Sequence, residues 1–169
     1  MKQLLIIFLF SISLNIFSQA EDQNFYLVDA KISWQKAYST EKTKEEVLSY
    51  FENAKIFKKV SIENGQIIAK LDNHATNPDK TGVANVPDII NKTDFTGDVV
   101  IRYRSKEKDY VVQFTNLTMV GRGDFLKKKE EQSFEKHFVS KSTGKYRLGF
   151  LRSPKEVYNA TFIPIFEMK

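Results

Sequence analysis

The sequence predicts an α+β fold, in which an antiparallel β-sheet of about five strands is covered on one face by one or two helices. Three observations predict it: two alternating apolar runs within residues 95–120, an amphipathic helix after Thr43, and a hairpin signal at Asn64-Gly65. The 169 residues, of which 41% are hydrophobic, are enough for one such domain.

The first predicted strand covers residues 25–39. Within it Ile32, Trp34 and Tyr38 share one alternating face, and the residues between them are small or polar. This period of two is the pattern of a half-buried strand.

A helix is predicted to begin after Thr43. Glu46 follows Thr43 at the spacing of a capping box, in which each side chain binds the other residue's backbone N–H. Val47, Leu48 and Phe51 then recur at helical spacing and form one apolar stripe. We expect this stripe to cover the apolar face of the sheet.

A β-hairpin is predicted over residues 60–71, because Asn-Gly tolerates the positive φ angles that a type I′ turn requires. In this register Ile62 faces Ile67 and Val60 faces Ala69. The polar segment 72–94 that follows is predicted to be a long loop between strands.

The clearest paired structure is the hairpin of residues 95–120, centred between Lys106 and Glu107. A register shift of one residue would place an apolar row in water, so the buried face selects the pairing. The predicted pairs are Tyr103 with Tyr110, Ile101 with Val112, and Val99 with Phe114. Gly121 and Gly123 predict a turn that ends this hairpin.

The segment 122–169 is a basic C-terminal extension, predicted to pack on the same domain as residues 21–121. It carries eleven Lys or Arg against six acids, whereas residues 21–120 carry fourteen against fifteen. Residues 125–139 predict a helix and residues 146–151 a short strand. Ser153, Pro154 and Glu156 predict a second helix start, and Pro164 should kink or end that helix.

These elements together resemble a family of secreted bacterial proteins of unknown function, whose domain has a TATA-binding-protein-like (TBP-like) fold. The resemblance covers about residues 26–121 and rests on the aromatic first strand, the capped helix from Thr43, the Asn64-Gly65 hairpin and the final ribbon ending at Asn116-Leu117. It implies the fold but no catalytic residue and no nucleic-acid function, because a fold alone does not fix activity.

Residues 1–20 have the pattern of a secretory signal peptide. Lys2 gives a positive start, residues 4–17 are largely apolar, and Ser18-Gln19-Ala20 is a small-residue cleavage site. We therefore expect an exported protein, periplasmic, outer-surface or secreted, with no transmembrane helix after cleavage. The chain has no cysteine, which excludes disulfides and thiol catalysis.

The residue pattern predicts no catalytic, cofactor or metal site. His74 and His137 stand far apart, without the spacing of a zinc motif. Ser133 and His137 lie one helical turn apart, but no third residue completes a catalytic triad. Glu130, Glu131 and Glu135 beside the lysines predict ion pairs on a helix surface.

The basic extension supplies the candidate contacts for a polyanion. Its excess of lysine and arginine fits either such contacts or a solvated protein surface. Aromatic residues interleave with the cations, which fits either base stacking or the apolar side of closing elements. The candidate residues are Arg122, Lys127, Lys128, Lys129, Lys136, Lys141, Lys145, Arg147 and Arg152.

We predict a non-enzymatic envelope protein that binds an unidentified protein or envelope ligand through its sheet face or through residues 72–94. A small secreted hydrolase whose acids converge only in the fold is one alternative. A binder of polyanions or anionic membrane surfaces that uses the basic extension is another.

Overall fold

One antiparallel sheet organises the molecule, and helices cover one of its faces. The computed structural model describes residues 24–125 and 130–169, so the predicted signal peptide and the candidate contacts Lys127, Lys128 and Lys129 lie outside the described residues. Within this part the sheet has seven strands in the order β1-β2-β6-β5-β4-β3, with β7 paired to β6. The α+β class is confirmed, with more strands than the five expected.

The described part of the chain contains seven strands and five helices. The strands are β1 (Phe25–Val28), β2 (Lys31–Ser39), β3 (Phe57–Glu63), β4 (Gln66–Ala75), β5 (Thr93–Arg104), β6 (Asp109–Gly121) and β7 (Gln132–Ser133). The helices are α1 (Lys44–Glu52), α2 (Asp88–Asn91), α3 (Phe134–Phe138), α4 (Leu148–Arg152) and α5 (Pro154–Phe166). None of these helices is long and apolar enough to cross a membrane.

The β5–β6 hairpin has the predicted register. Tyr103 pairs with Tyr110, Ile101 with Val112, and Val99 with Phe114. The register shifts between Thr96 and Asp98, on either side of Gly97. A Cβ at Gly97 would lie 2.5 Å from Cε2 of Phe114, so the close packing of this ring requires glycine there.

Helix α1 begins with the predicted capping box. The Thr43 N–H donates to Oε2 of Glu46 at 2.7 Å, and the Glu46 N–H donates to Oγ1 of Thr43 at 3.3 Å. The bond from the Thr43 N–H lowers the pKa of the Glu46 carboxyl. Val47 and Phe51 are buried, and the ring of Phe51 contacts that of Tyr110. The predicted helix and the inward position of its phenylalanine are confirmed.

The predicted first strand is wrong as a single strand, because the chain turns back within it. β1 and β2 form a hairpin through Asp29 and Ala30, whose φ angles are +49° and +59°. Positive φ at both positions is the type I′ geometry, and Asp-Ala does not signal it as Asn-Gly does. The predicted alternation survives within β2, where Ile32 and Trp34 are buried.

The Asn64-Gly65 turn is confirmed, with φ angles of +51° and +70° and Ile62 opposite Ile67. Val60 and Ala69 do not form the regular pair that was predicted. The register shifts between Lys58 and Ser61, so Lys59 and Val60 together lie opposite Ala69. Such a bulge bends an edge strand and discourages pairing with another chain.

The predicted loop of residues 72–94 is shorter than expected. A second bulge shifts the register after Leu71, and β4 then continues to Ala75, with His74 opposite Phe95. The strand β5 already begins at Thr93. The remaining segment 76–92 holds a 3-10 turn at Pro78–Lys80 and helix α2, so it is largely ordered.

The basic extension folds differently from its prediction. Instead of one helix over residues 125–139, β7 precedes the short helix α3. The predicted strand of residues 146–151 is also wrong: Tyr146 forms a single β-bridge with Val139, and helix α4 begins at Leu148. Phe138 and Phe150 are buried with ring centroids 4.8 Å apart, and this contact favours two short helices over extended chain. Helix α5 begins at Pro154 as predicted, although the Ser153 hydroxyl makes no capping bond.

Helix α5, more than α1, covers the centre of the sheet. The ring of Phe162 packs on Trp34, Phe95 and Phe114, with centroids 5.0 to 5.7 Å apart. Pro164 does not end the helix, which continues to Phe166. All of these aromatic residues belong to one hydrophobic core that spans the sheet and the basic extension.

Candidate binding surfaces

The second face of the sheet is not covered by any helix of the described residues. Side chains that face the helices, such as Trp34, Val99 and Val112, are at most 1% exposed. Their neighbours on the other side are half-buried or exposed throughout. We call this surface the open face; it comprises Tyr26, Ser33, Gln35, Ala37, Ile68, Lys70, Val100, Val111, Gln113 and Thr115.

The open face combines aliphatic and amide side chains in rows across the strands. Ile68 lies opposite Val100, Val100 opposite Gln113, and Gln113 opposite Gln35. A spacing of about 4.8 Å between strands makes the surface about 24 Å wide over six strands. It is broad and nearly free of acids, so it suits contact over an area rather than the enclosure of a small molecule.

The segment 76–92, the other predicted contact region, is tied to the domain. The Thr76 hydroxyl donates to the Ile90 carbonyl at 3.0 Å. Arg122 forms an ion pair with Asp94 at 3.4 Å and donates to the Asn91 carbonyl. The Arg122 cation is thus engaged in holding this segment beside the end of the central hairpin.

The remaining described cations of the prediction lie on and around α3 and α4. Lys136, Lys141, Lys145, Arg147 and Arg152 are all exposed. Of these five side chains, only that of Arg147 forms a hydrogen bond within the described part of the chain: its Nε donates to the Val139 carbonyl at 3.0 Å. Arg122 therefore has a structural role, whereas the other described cations of the prediction are left facing solvent.

Helix α4 adds exposed leucines to these cations. Leu148 is 73% exposed and Leu151 41%, whereas Phe150 between them is fully buried. Because successive residues of a helix are about 100° apart, Leu148 and Arg152 lie opposite Phe150, while Arg147 and Leu151 lie about 60° and 100° from it and are exposed at the side of the helix.

A groove separates α4 from the β1–β2 hairpin. It has a volume of about 450 Å³ and is lined by Leu27, Asp29, Ala30, Gly144, Lys145, Tyr146 and Leu151. Val28, which is 63% exposed, alternates with Leu27 along β1 and therefore lies on the side of the sheet that carries Tyr26, away from the groove. No local sequence signal marks this site, because it depends on the turn at Asp29, which carries no glycine or asparagine, and on α4, where a strand was predicted.

The predicted titratable residues do not converge. Nε2 of His137 lies 2.7 Å from Oε1 of Gln132, while the Ser133 hydroxyl accepts from the Lys136 N–H at the start of α3. Burial lowers the pKa of His74 and of His137. No group of three metal-ligating side chains occurs in residues 24–125 or 130–169.

The predicted ion pairs of the three glutamates involve Lys127, Lys128 and Lys129, which lie outside the described residues, so they stay a prediction. Glu131 accepts from the Thr118 hydroxyl at 2.8 Å, and Glu135 accepts from the Ile32 N–H at 3.0 Å. Glu130 and Glu131 precede helix α3 instead of lying on it. These carboxylates join the extension to the edge of the sheet.

Comparison with known proteins shows the fold and no more. No protein-family model matches the sequence, and no curated protein does. A crystal structure of a DUF4468 family protein from Bacteroides ovatus superposes with a TM-score of 0.50 and 10% identity, covering 86% of this chain and 92% of that one. A TBP-like protein from Parabacteroides distasonis gives a TM-score of 0.46 and 16% identity, covering 83% and 88%. The chain thus shares its fold with a bacterial protein of a DUF family, as the resemblance implied.

Proposed function

We propose that this protein is an exported, non-enzymatic module of the bacterial envelope that binds a protein partner through the open face. The observation that carries the proposal is the asymmetry of the sheet, with one face under helices and the other bare across six strands. An antiparallel sheet tolerates such a face, but half-exposed Ile68, Val100 and Val111 give it apolar area for a partner to cover.

The chemistry of the open face favours a protein over a charged polymer. Its centre is aliphatic, with the amides of Gln35 and Gln113 among the aliphatic side chains. This mixture is typical of the surfaces that proteins present to one another. Its charged residues lie at the margin, where Lys70 is opposite Asp98.

The signal-peptide pattern of residues 1–20 supports export. The engagement of Glu131, Glu135 and Asp109 in structural contacts supports a non-enzymatic role, because these carboxylates hold strands and the extension together.

Photo-crosslinking in the native cell tests the proposal. A photoreactive residue at Val111 or Gln113 should give one discrete protein adduct, and one at exposed Glu52 on α1 should not. The partner, identified by mass spectrometry and purified, should then bind wild type directly. Sequencing of the mature N-terminus in the same preparation tests cleavage after Ala20.

Val100→Arg should weaken that binding at least tenfold, because a central aliphatic contact becomes a charge. The matched control is Ile62→Arg, which places the same charge on exposed Ile62 at the β3 edge and should leave binding unchanged. Equal adducts at Val111 and Glu52, or equal binding by the two arginine variants, would contradict a partner on the open face.

A further inference from the structure

The exposed cations of the basic extension form a segment without opposing charge. Residues 136–155 contain six Lys or Arg and no Asp or Glu. Five of these cations are exposed, and the exception is Lys155, which is 3% exposed. Glu135 on α3 and Glu156 on α5 bound this run, so the excess of positive charge lies between them, on residues 139–147 and α4, where it favours an anionic partner.

The most exposed large aliphatic side chain of the described residues lies beside these cations. Leu148 on α4 is 73% exposed, and Leu151, which lines the groove between α4 and the β1–β2 hairpin, is 41% exposed. We call this site the cationic leucine surface and define it as Lys145, Arg147, Leu148, Leu151 and Arg152.

Two properties of this surface define its partner. A soluble polyanion would neutralise the cations but would gain nothing from exposed leucine. The interface of an anionic bilayer accepts both, since phosphates meet the cations and the headgroup boundary takes up aliphatic side chains. Asp29 also lines the groove, but Lys145, Arg147 and Arg152 leave the surface with an excess of positive charge.

We propose that the cationic leucine surface attaches the protein to anionic phospholipid bilayers, with Leu148 and Leu151 entering the interface. The attachment is peripheral and reversible, because only a few side chains insert. It is independent of the open face, so a partner protein and a membrane are bound by different surfaces.

Vesicle sedimentation tests this proposal on the chain from residue 21 onward, which contains every residue of the core. The protein should bind vesicles of phosphatidylcholine with phosphatidylglycerol and not vesicles of phosphatidylcholine alone. Binding should be lost at high salt, because screening removes the attraction between cations and the anionic surface.

Two variants distinguish the contribution of an inserted leucine from that of the cations. Leu148→Gln should lower the partition coefficient about tenfold, since it removes a side chain that leaves water on binding. The double variant Lys145→Gln with Arg152→Gln should lower the partition coefficient about 25-fold, because each lost cation lowers it about fivefold. Both sites are exposed, so the fold should persist, as the near-ultraviolet circular dichroism of buried Trp34 can verify.

The controls make the same changes at the opposite edge of the sheet. Ile62→Gln removes another exposed aliphatic side chain, and Lys55→Gln with Lys58→Gln removes two exposed cations. Neither should alter vesicle binding. The proposal is overturned if anionic vesicles are not bound, or if Leu148→Gln binds them as wild type does. Unchanged vesicle binding by Leu148→Gln, together with salt-sensitive binding to heparin, would assign the surface to soluble polyanions.

Discussion

The hydroxyl of Tyr110 should be one of the most important single polar groups for stability, because it fastens the end of α5 to the sheet. It donates to the Phe166 carbonyl at 2.9 Å and accepts from the Met168 N–H at 3.0 Å. Burial raises the pKa of Tyr110 to about 12, so the group is protonated and able to donate at neutral pH. The Tyr110 ring also stacks on Tyr38, with centroids 5.1 Å apart.

Tyr110→Phe removes these bonds and leaves the ring in place. Phe166 is fully buried, so its carbonyl is left without a donor, whereas Met168 is only half-buried and water can reach its N–H. An unsatisfied buried group costs about 1–3 kcal/mol, and we expect a loss of about 2 kcal/mol in the free energy of unfolding. For a domain of this size the corresponding fall in Tm is about 4–8 °C.

Urea denaturation followed by the fluorescence of buried Trp34 measures this loss. Tyr38→Phe should cost about 1 kcal/mol, because its hydroxyl donates at 2.9 Å to the carbonyl of Ile163, which is only half-buried. Tyr103→Phe removes a hydroxyl from a half-buried ring and serves as the control. If Tyr110→Phe is no less stable than Tyr103→Phe, the hydroxyl does not hold α5, and the reasoning is refuted.

Two further predictions concern packing and pH. Gly97→Ala should lower the free energy of unfolding by about 1–3 kcal/mol, because its Cβ would lie 2.5 Å from the Phe114 ring. Gly149→Ala, whose Cβ would meet nothing within 4 Å, should be neutral or stabilising in the same urea assay. His74 and His137 have pKa values below the usual 6.5, so the unfolded chain binds more protons as pH falls through that value. The urea midpoint should therefore fall between about pH 7.5 and 5.5, and His74→Gln combined with His137→Gln should flatten that slope; an unchanged slope would contradict the assignment.

The elements that the sequence predicted well are those whose signals are local. The capping box at Thr43, the Asn64-Gly65 turn and the alternation around Ile101 each depend on residues within a few positions of one another. The buried face then selected one register for the central hairpin, because the alternative put an apolar row in water.

The errors occurred where tertiary contact overrides local preference. The Asp29-Ala30 turn carries no glycine or asparagine, so the β1–β2 hairpin has no local signature. Tyr146 and Phe150 stack on each other at 5.1 Å, a contact that fits a turn followed by α4 better than the predicted strand. The candidate membrane surface depends on α4, which is why its leucines were not among the predicted contacts.

The structure also resolves why aromatic residues alternate with cations in the last third of the chain. Phe134, Phe150 and Phe162 are fully buried and pack against other rings of the core, so the intervening cations are left on the outside. These rings cannot stack on nucleobases, because they already close the hydrophobic core. What the extension offers an anionic partner is charge and aliphatic area, and a bilayer interface is the partner that uses both. The same packing that completes the domain thus exposes the surface by which we expect it to meet a membrane.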